Sequence, residues 1–334
     1  MDAARVLRQI ALQLERVGEP GYRVQAFRRA AAAVDALAPG ELAERARAGT
    51  LTTLSGVGKT TAAIIADVVA GREPEYLTRL AGRPGQELPD GGPLRAALRG
   101  DCHTHSDWSD GASPIEEMAE AAIALGHEWI VLTDHSPRLT VANGLSAERL
   151  RRQLDVVGRL NAELKPFRVL TGIEVDILAD GGLDQDPDLL AELDLVVASV
   201  HSKLRMPAAE MTRRMLAAVA NPRVNVLGHC TGRLVKGRGR PESEFDAGAV
   251  FAACREHDVA VEINSRPERL DPPRRLLRQA REAGCRFAID SDAHTPGQLG
   301  WQPYGCVRAT ECGVESTDVL NTMTADELVA WARD

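Results

Sequence analysis

The chain has 334 residues, 44% of them hydrophobic and 26% charged, and a net charge of −8. That is the balance of a globular protein with room for one large domain and a smaller one. No apolar run approaches the ~18 residues of a membrane span, and six scattered cysteines without a CxxC pair argue against a disulfide framework. The N-terminus also lacks the basic-then-apolar layout of a signal peptide, so a reduced, cytoplasmic setting is expected.

Residues 1–82 read as all helix. Apolar positions recur at helical spacing through 4–17, 24–37, 41–46 and 60–70, punctuated by Gly18-Glu19-Pro20-Gly21, Pro39-Gly40 and Gly56-Val57-Gly58. Residues 1–85 carry twelve Lys/Arg against nine Asp/Glu, whereas the remainder carries 28 against 39. A mildly basic front beside an acidic back fits a nucleic-acid-touching module next to a catalytic one. The Gly- and Pro-rich stretch that follows is expected to be a linker, residues 83–97.

From residue 98 to 334 short apolar runs alternate with amphipathic helices. Candidate strands are 98–102, 128–133, 167–175, 194–200, 223–228, 259–263 and 285–290; candidate helices are 114–126, 146–164, 206–220, 245–257 and 272–284. Seven such units predict a parallel α/β fold, a distorted (β/α)7 barrel. Nearly every candidate strand ends in an ionisable residue. In order these are Asp101, His103, His105 and Asp110; Asp134 and His135; Glu174 and Asp176; His201; His229; Glu262; and Asp290, Asp292 and His294. Parallel strands bring these ends to one mouth.

Six of the eight histidines occupy such positions. A lone strand-end His is more often structural, but six with several carboxylates would desolvate and repel one another unless cations neutralised them. The six histidines, His103, His105, His135, His201, His229 and His294, and carboxylates on the same rim are the expected metal ligands. Imidazole and carboxylate donors without thiolates suit two or three divalent ions, Zn, Mn or Fe. Such a cluster acidifies water and neutralises charge on phosphoryl oxygens, which phosphoester hydrolysis needs. Lys203 and Arg233 are candidates to hold a substrate phosphate, and Glu262, Asp134 and Asp101 to orient ligands or move protons.

The ordered set Asp-x-His-x-His, Thr-Asp-His, Gly-Ile-Glu-Val-Asp, Ser-Val-His, Gly-His and Asp-Ala-His resembles the polymerase and histidinol phosphatase (PHP) family. The wording of 199–214 (SVHSKLRMPAAEMTRR), 221–234 (NPRVNVLGHCTGRL) and 319–331 (VLNTMTADELVAW) resembles in particular the PHP domain of bacterial family-X DNA polymerases. The resemblance implies a trinuclear site. His103, His105, Glu174 and Asp292 would hold one ion, Glu174, His201 and His229 a second, and Asp110, His135 and His294 a third. Many family-X polymerases lack the first His of the pair, whereas this chain has both His103 and His105.

Residues 20–37 (PGYRVQAFRRAAAAVDAL) and 51–65 (LTTLSGVGKTTAAII) are similar to the N-terminal domain of the same polymerases, with a helix-hairpin-helix signature that nominates Gly56, Gly58 and Lys59 for DNA contact. Gly58-Lys59-Thr60 is not a P-loop, because the spacing from Gly56 is too short and no strand precedes it. The polymerase palm and thumb would fall between the two parts, where only the short linker stands, so polymerisation is not expected. The expected activity is metal-dependent phosphoester hydrolysis on DNA, as a 3′–5′ exonuclease or 3′-end-processing phosphoesterase. The alternative is a small-molecule phosphatase of the histidinol-phosphatase type. A metal-dependent amidohydrolase is disfavoured by Glu174 standing where a carboxylated lysine would bridge. A DNA-binding accessory without catalysis is disfavoured by the intact ligand set.

Overall fold

The structure is a computed structural model that describes residues 2–81 and 87–333. The chain divides into two compact units, Met1–Leu88 and Pro89–Asp334. Residues 83–86 of the expected linker lie outside the described residues.

The first unit is helical: α1 (Ala3–Arg16), α2 (Gly21–Asp35), α3 (Glu41–Ala48), α4 (Lys59–Val69) and α5 (Glu75–Ala81). Asp2 caps α1 by accepting from the Arg5 backbone N–H at 3.1 Å. Leu7, Ile10 and Leu14, spaced three and four apart, are fully buried in one apolar cluster with Phe27, Ala30 and Ala31 of α2 and Ile65 and Val68 of α4. The turn before α4 needs its first glycine: Gly56 sits at φ +86°, and a Cβ there would lie 3.2 Å from the Arg29 carbonyl oxygen. Gly58 caps α4, its N–H donating to Thr61 Oγ1 at 2.9 Å. Helix α5 adds one more turn pair than the apolar spacing predicts.

The second unit opens with α6 (Gly92–Ala97), which replaces the last part of the expected linker. Pro93 suits a first helical turn, and Leu94 and Leu98 are buried in this unit's core, so the segment is part of the barrel unit. Seven strands follow: β1 (Gly100–Thr104), β2 (Trp129–Leu132), β3 (Arg168–Asp176), β4 (Leu195–Ser199), β5 (Val226–Leu227), β6 (Ala260–Asn264) and β7 (Phe287–Asp290). They pair in parallel in chain order, a nearly closed barrel. The helices are α7 (Ile115–Ala124), α8 (Ala147–Glu163), the short α9 (Pro187–Leu190), α10 (Ala208–Val219), α11 (Ala247–Glu256), α12 (Arg274–Glu282), α13 (Gln302–Glu311) and α14 (Ala325–Arg333). Expected strand 223–228 shrinks to two residues, because the Asn225 side chain accepts from Val196 N–H at 2.8 Å where a ladder bond would stand.

Strand alternation explains the interior. On β2 the inward set runs Trp129, Val131, Thr133, His135; on β3, Leu170, Gly172, Glu174, Asp176; on β4, Leu195, Val197, Ser199, His201. The lower members join Val226, Ala260, Ala288, Leu320 and Leu328 in one dry apolar cluster. The upper members are ionisable. The outward set, including Ile173, Val175, Val196, Ala198, Ile263 and Ile289, packs against the helices. A register shift between Asp101 and Thr104 lets Cys102 join the apolar interior while His103 and His105 reach the mouth.

Between β7 and β1 there is an isolated bridge, Thr104 with Ala293, and the seam is otherwise closed by side chains. The Asp290 carboxylate accepts from Cys102 N–H at 2.8 Å and Asn321 Nδ2 at 3.0 Å. Asn321 also donates to the Gly100 and Ile289 carbonyls, each at 3.1 Å, and Gln302 donates to the same two carbonyls at 3.0 Å.

Candidate active site

Glu174 is the hub of the mouth. Its buried carboxylate meets five imidazoles: His135 Nδ1 at 2.8 Å, His229 Nε2 at 2.9 Å, His201 Nε2 at 3.2 Å, His103 Nε2 at 3.3 Å and His105 Nε2 at 3.6 Å. Asp110, on the loop after β1, stands 3.4 Å from His294 Nε2 and 3.5 Å from His135 Nε2. Asp292 lies 3.5 Å from His105 Nε2 and from His294 Nδ1. All nine expected ligands are therefore gathered at the C-terminal ends of the strands.

Their grouping differs in part from the resemblance-based sets. Donor atoms within 4.8 Å of one another form three groups: His105, Asp110, His135 and His294; His103, His105 and Glu174; and His135, Glu174 and His201. His105, His135 and Glu174 each belong to two groups, while His229 and Asp292 fall outside these limits.

Electrostatics follow from burial and crowding. Burial opposes charge on His103, yet the Glu174 and Glu262 carboxylates raise its pKa well above the ordinary value. Burial likewise opposes charge on His201, and Glu174 and Asp176 raise it to about 9. His105 is held well below its ordinary value by burial and by His294 and His135. Burial would raise Glu174, but His103, His201 and His135 hold it well below the carboxylate range.

Many donor atoms here have no hydrogen-bond partner: His103 Nε2, both ring nitrogens of His105 and His201, His135 Nδ1, His229 Nδ1 and Glu174 Oε2. Those beside Glu174, His103 Nε2, His105 Nε2, His135 Nδ1 and His201 Nε2, fit divalent cations, and no thiolate competes.

The supporting residues divide by what they touch. Glu262 accepts from His103 Nδ1 at 2.6 Å and from the His229 backbone N–H, and so contacts the cluster directly. Asp134 and Asp101 touch backbone and loop groups around the ligands rather than an imidazole. Asp134 is saturated by Ser106 N–H and Oγ at 2.8 and 2.6 Å, Gln153 Nε2 at 2.6 Å and Ser109, which fastens the loop bearing Asp110 to α8. Asp101 accepts from the His103 and Ser291 backbone N–H groups and from Ser291 Oγ, joining β1 to the segment after β7; burial raises its pKa to about 6.

Arg233 is engaged elsewhere than expected. Its guanidinium donates to the Arg269 carbonyl at 3.1 Å and to the Leu270 carbonyl and pairs with Glu242, so it clamps a loop. Lys203 is exposed and does not border the site cavity. That cavity, of about 440 Å³, is bordered by Glu174, His201 and His294 and by three cations, Lys236, Arg266 and Arg269.

Arg269, which sequence reasoning missed, is largely buried with Nε 3.1 Å from Asp292 Oδ2. Arg266 lies 3.2 Å from His294 Nδ1 and 3.7 Å from Asp292. Asp292 sits at φ +53°, held by Asn264 Nδ2 at 3.1 Å as well as by Arg269. Asp176, not nominated for the site, accepts from His201 N–H at 3.1 Å. Asp271 holds the loop after His229 by accepting from Thr231 Oγ1 at 2.6 Å. Their place in Gly-Ile-Glu-Val-Asp and in Leu-Asp-Pro-Pro after a strand was the available signal.

A mouth with cations at its rim and unpartnered imidazoles beneath is that of a metal-dependent phosphoester hydrolase. The PHP domain profile matches residues 101–266, and the helix-hairpin-helix domain profile matches residues 1–73. The chain belongs to the PHP-domain family. It is 42% identical over 236 residues to the DNA polymerase/3′-5′ exonuclease PolX of Bacillus subtilis, a match covering 71% of this chain and 41% of that protein's length. It is 30% identical over 214 residues to the probable phosphatase YcdX of Escherichia coli, covering 60% of this chain and 80% of that one. The crystal structure of a histidinol phosphate phosphatase from Lactococcus lactis, complexed with zinc, L-histidinol and phosphate, aligns with a TM-score of 0.47 at 19% identity, covering 65% of this chain and 95% of that one. Among the described residues, no helix is long and apolar enough to cross a membrane.

Proposed function

We propose that the protein hydrolyses phosphodiester bonds at DNA 3′ ends, using divalent cations held by His103, His105, Asp110, His135, Glu174, His201, His229, Asp292 and His294. The observation that carries this reading is the convergence on Glu174 of four imidazole nitrogens without a hydrogen-bond partner, His103 Nε2, His105 Nε2, His135 Nδ1 and His201 Nε2. Divalent ions at such a centre supply acidified water and neutralise charge on phosphoryl oxygens. The chain's own residues prepare the place. Glu262 accepts the His103 Nδ1 proton and leaves Nε2 facing the centre. Asn264 and Arg269 fix Asp292. Arg266, rather than Lys203 and Arg233, holds the substrate phosphate at the rim.

DNA is favoured as substrate by the helix-hairpin-helix profile beside the barrel and by the exonuclease named among its relatives. Gly56, Gly58 and Lys59 are proposed to meet a DNA phosphate; Gly58 and Lys59 are exposed at the start of α4. The domain limits proposed are a DNA-contacting unit ending by residue 88 and a catalytic unit from residue 89. Six free, buried cysteines support a reducing, cytoplasmic setting. Labelled single-stranded DNA incubated with the protein and Mn²⁺ should shorten from its 3′ end, and His201→Ala should abolish the shortening. Wild-type protein that leaves the DNA intact rejects the reading. The relatives named as probable phosphatases keep one alternative open, a small-molecule phosphatase, which rapid turnover of one phosphomonoester in a metabolite panel would favour.

A further inference from the structure

Five large hydrophobic side chains stand out as exposed among the described residues, and one of them, Val141, borders the active-site mouth. Val141 is 92% exposed and Val235 50% exposed. Val141 borders the 440 Å³ cavity from the loop after β2, and Val235 lies between two bordering residues, Leu234 and Lys236.

The Val141 loop is held firmly at its base. Arg149 donates to the Asn143 carbonyl at 2.7 Å and to the Gly144 carbonyl at 3.1 Å. At Gly144 a Cβ would fall 1.8 Å from the Ser136 carbonyl oxygen, so the loop packs too closely there for any other residue. The anchored loop thus holds an exposed isopropyl group at the rim of the cavity. Opposite in chemistry is the hairpin 234–240. Leu234 and Arg240 exchange backbone hydrogen bonds of 3.0 and 2.9 Å, and Gly237 and Gly239 turn the tip at φ +68° and +67°. Its tip exposes Lys236 and Arg238.

We infer that Val141 and the hairpin 234–240 form a clamp for the last two nucleotides of a single strand. Val141 covers the terminal base, and Lys236 and Arg238 hold the phosphate next to the one being cleaved. This rests on the DNA reading above and deepens it. A small polar phosphomonoester would leave Val141 wet and offers no second phosphate to the hairpin. A polynucleotide end supplies a flat apolar face and a second anionic group together, and a valine discriminates poorly among base faces, so the clamp is tolerant of sequence.

The test compares wild type, Val141→Ser and the double variant Lys236→Ala/Arg238→Ala on two substrates. One is a single-stranded oligonucleotide, and the other is thymidine 5′-p-nitrophenyl phosphate, a diester with one phosphate. On the oligonucleotide, the double variant should raise KM roughly tenfold at unchanged kcat. It should also flatten the dependence of log(kcat/KM) on log salt by about 0.7 for each phosphate that the hairpin no longer neutralises. Oligonucleotide affinity by fluorescence anisotropy should weaken by the same factor, and Lys236→Arg/Arg238→Lys should restore it. Val141→Ser should raise KM several-fold without moving the salt slope. Kinetics on the small diester should stay within twofold for the double variant. An oligonucleotide shortened as well by the variants as by wild type overturns the clamp alone. So does an equal fall in rate on both substrates. Wild-type protein that cleaves the small diester but not the oligonucleotide overturns the DNA reading and the clamp together.

Discussion

The lower and upper halves of the barrel interior are lined by the same faces of the same strands, and they do opposite work. Below, Trp129, Val131, Leu170, Leu195 and Val197 are dry and mutually packed. Two inward positions further along, His135, Glu174 and His201 are buried with ring nitrogens or carboxylate oxygens left unpartnered. A barrel thus separates its stabilising layer from its reactive layer by about 13 Å along each strand. Substitutions in the two layers should therefore fail in different ways.

Glu174→Gln should produce the largest effect. It keeps the volume but removes the charge that five imidazoles face, and kcat/KM should fall by about 10²–10³-fold, with metal content lowered by elemental analysis. Retained activity in a metal-replete Glu174→Gln protein would contradict the upper layer's assigned role. Leu170→Ala in the lower layer should cost about 2–5 kcal/mol in urea unfolding while leaving kcat per folded molecule unchanged. A fall in kcat at full folding would mean the two layers are not separable.

Glu262→Gln bears on the boundary between them. With the acceptor for His103 Nδ1 weakened, metal affinity should drop by about 10–100-fold while unfolding free energy changes little in the metal-free protein. Equal losses in both measurements would make Glu262 a packing residue.

The smallest effect expected is a pH dependence outside both layers. His127 is buried beside Arg95, and burial and that guanidinium lower its pKa to about 3. The unfolded chain, with a His pKa of about 6.5, binds a proton that the folded chain refuses. Stability from this group is complete above about pH 6.5 and is lost as pH falls toward 3. Between pH 6.5 and 5 the loss should be about 2 kcal/mol. The difference in unfolding free energy between wild type and His127→Gln should shift by that amount across the interval, and a flat difference would refute the assignment.

Much of the site is legible in the sequence because it obeys the strand period. Glu174, His201 and His135 each continue an inward alternation that begins apolar, and a reader who knows that strands end at one mouth can gather them. Loop residues do not carry such a rule. Lys203 adopts φ +51° and points its segment into solvent, and Arg233 is captured by the carbonyls of Arg269 and Leu270. Both follow a ligand closely in sequence, yet loop conformation, not proximity, decides where a side chain goes. Arg269 was missed for the converse reason: in a polar loop it resembles a solvated charge, and only the fold brings it to Asp292. Helices α13 and α14 also lie beyond the expected helices, although Gln302 and Leu328, one from each, close the seam and plug the interior.

That seam carries a consequence for how the molecule is made. Gly100 and Asn321, which meet there, are separated by 221 positions. A nascent chain that has released β1 to β7 still lacks the amide that fastens the first strand to the last, and the leucines that stopper the floor have yet to emerge. Closure thus waits for the segment after β7, and until that has emerged the first strand has an open edge that a neighbouring chain could occupy.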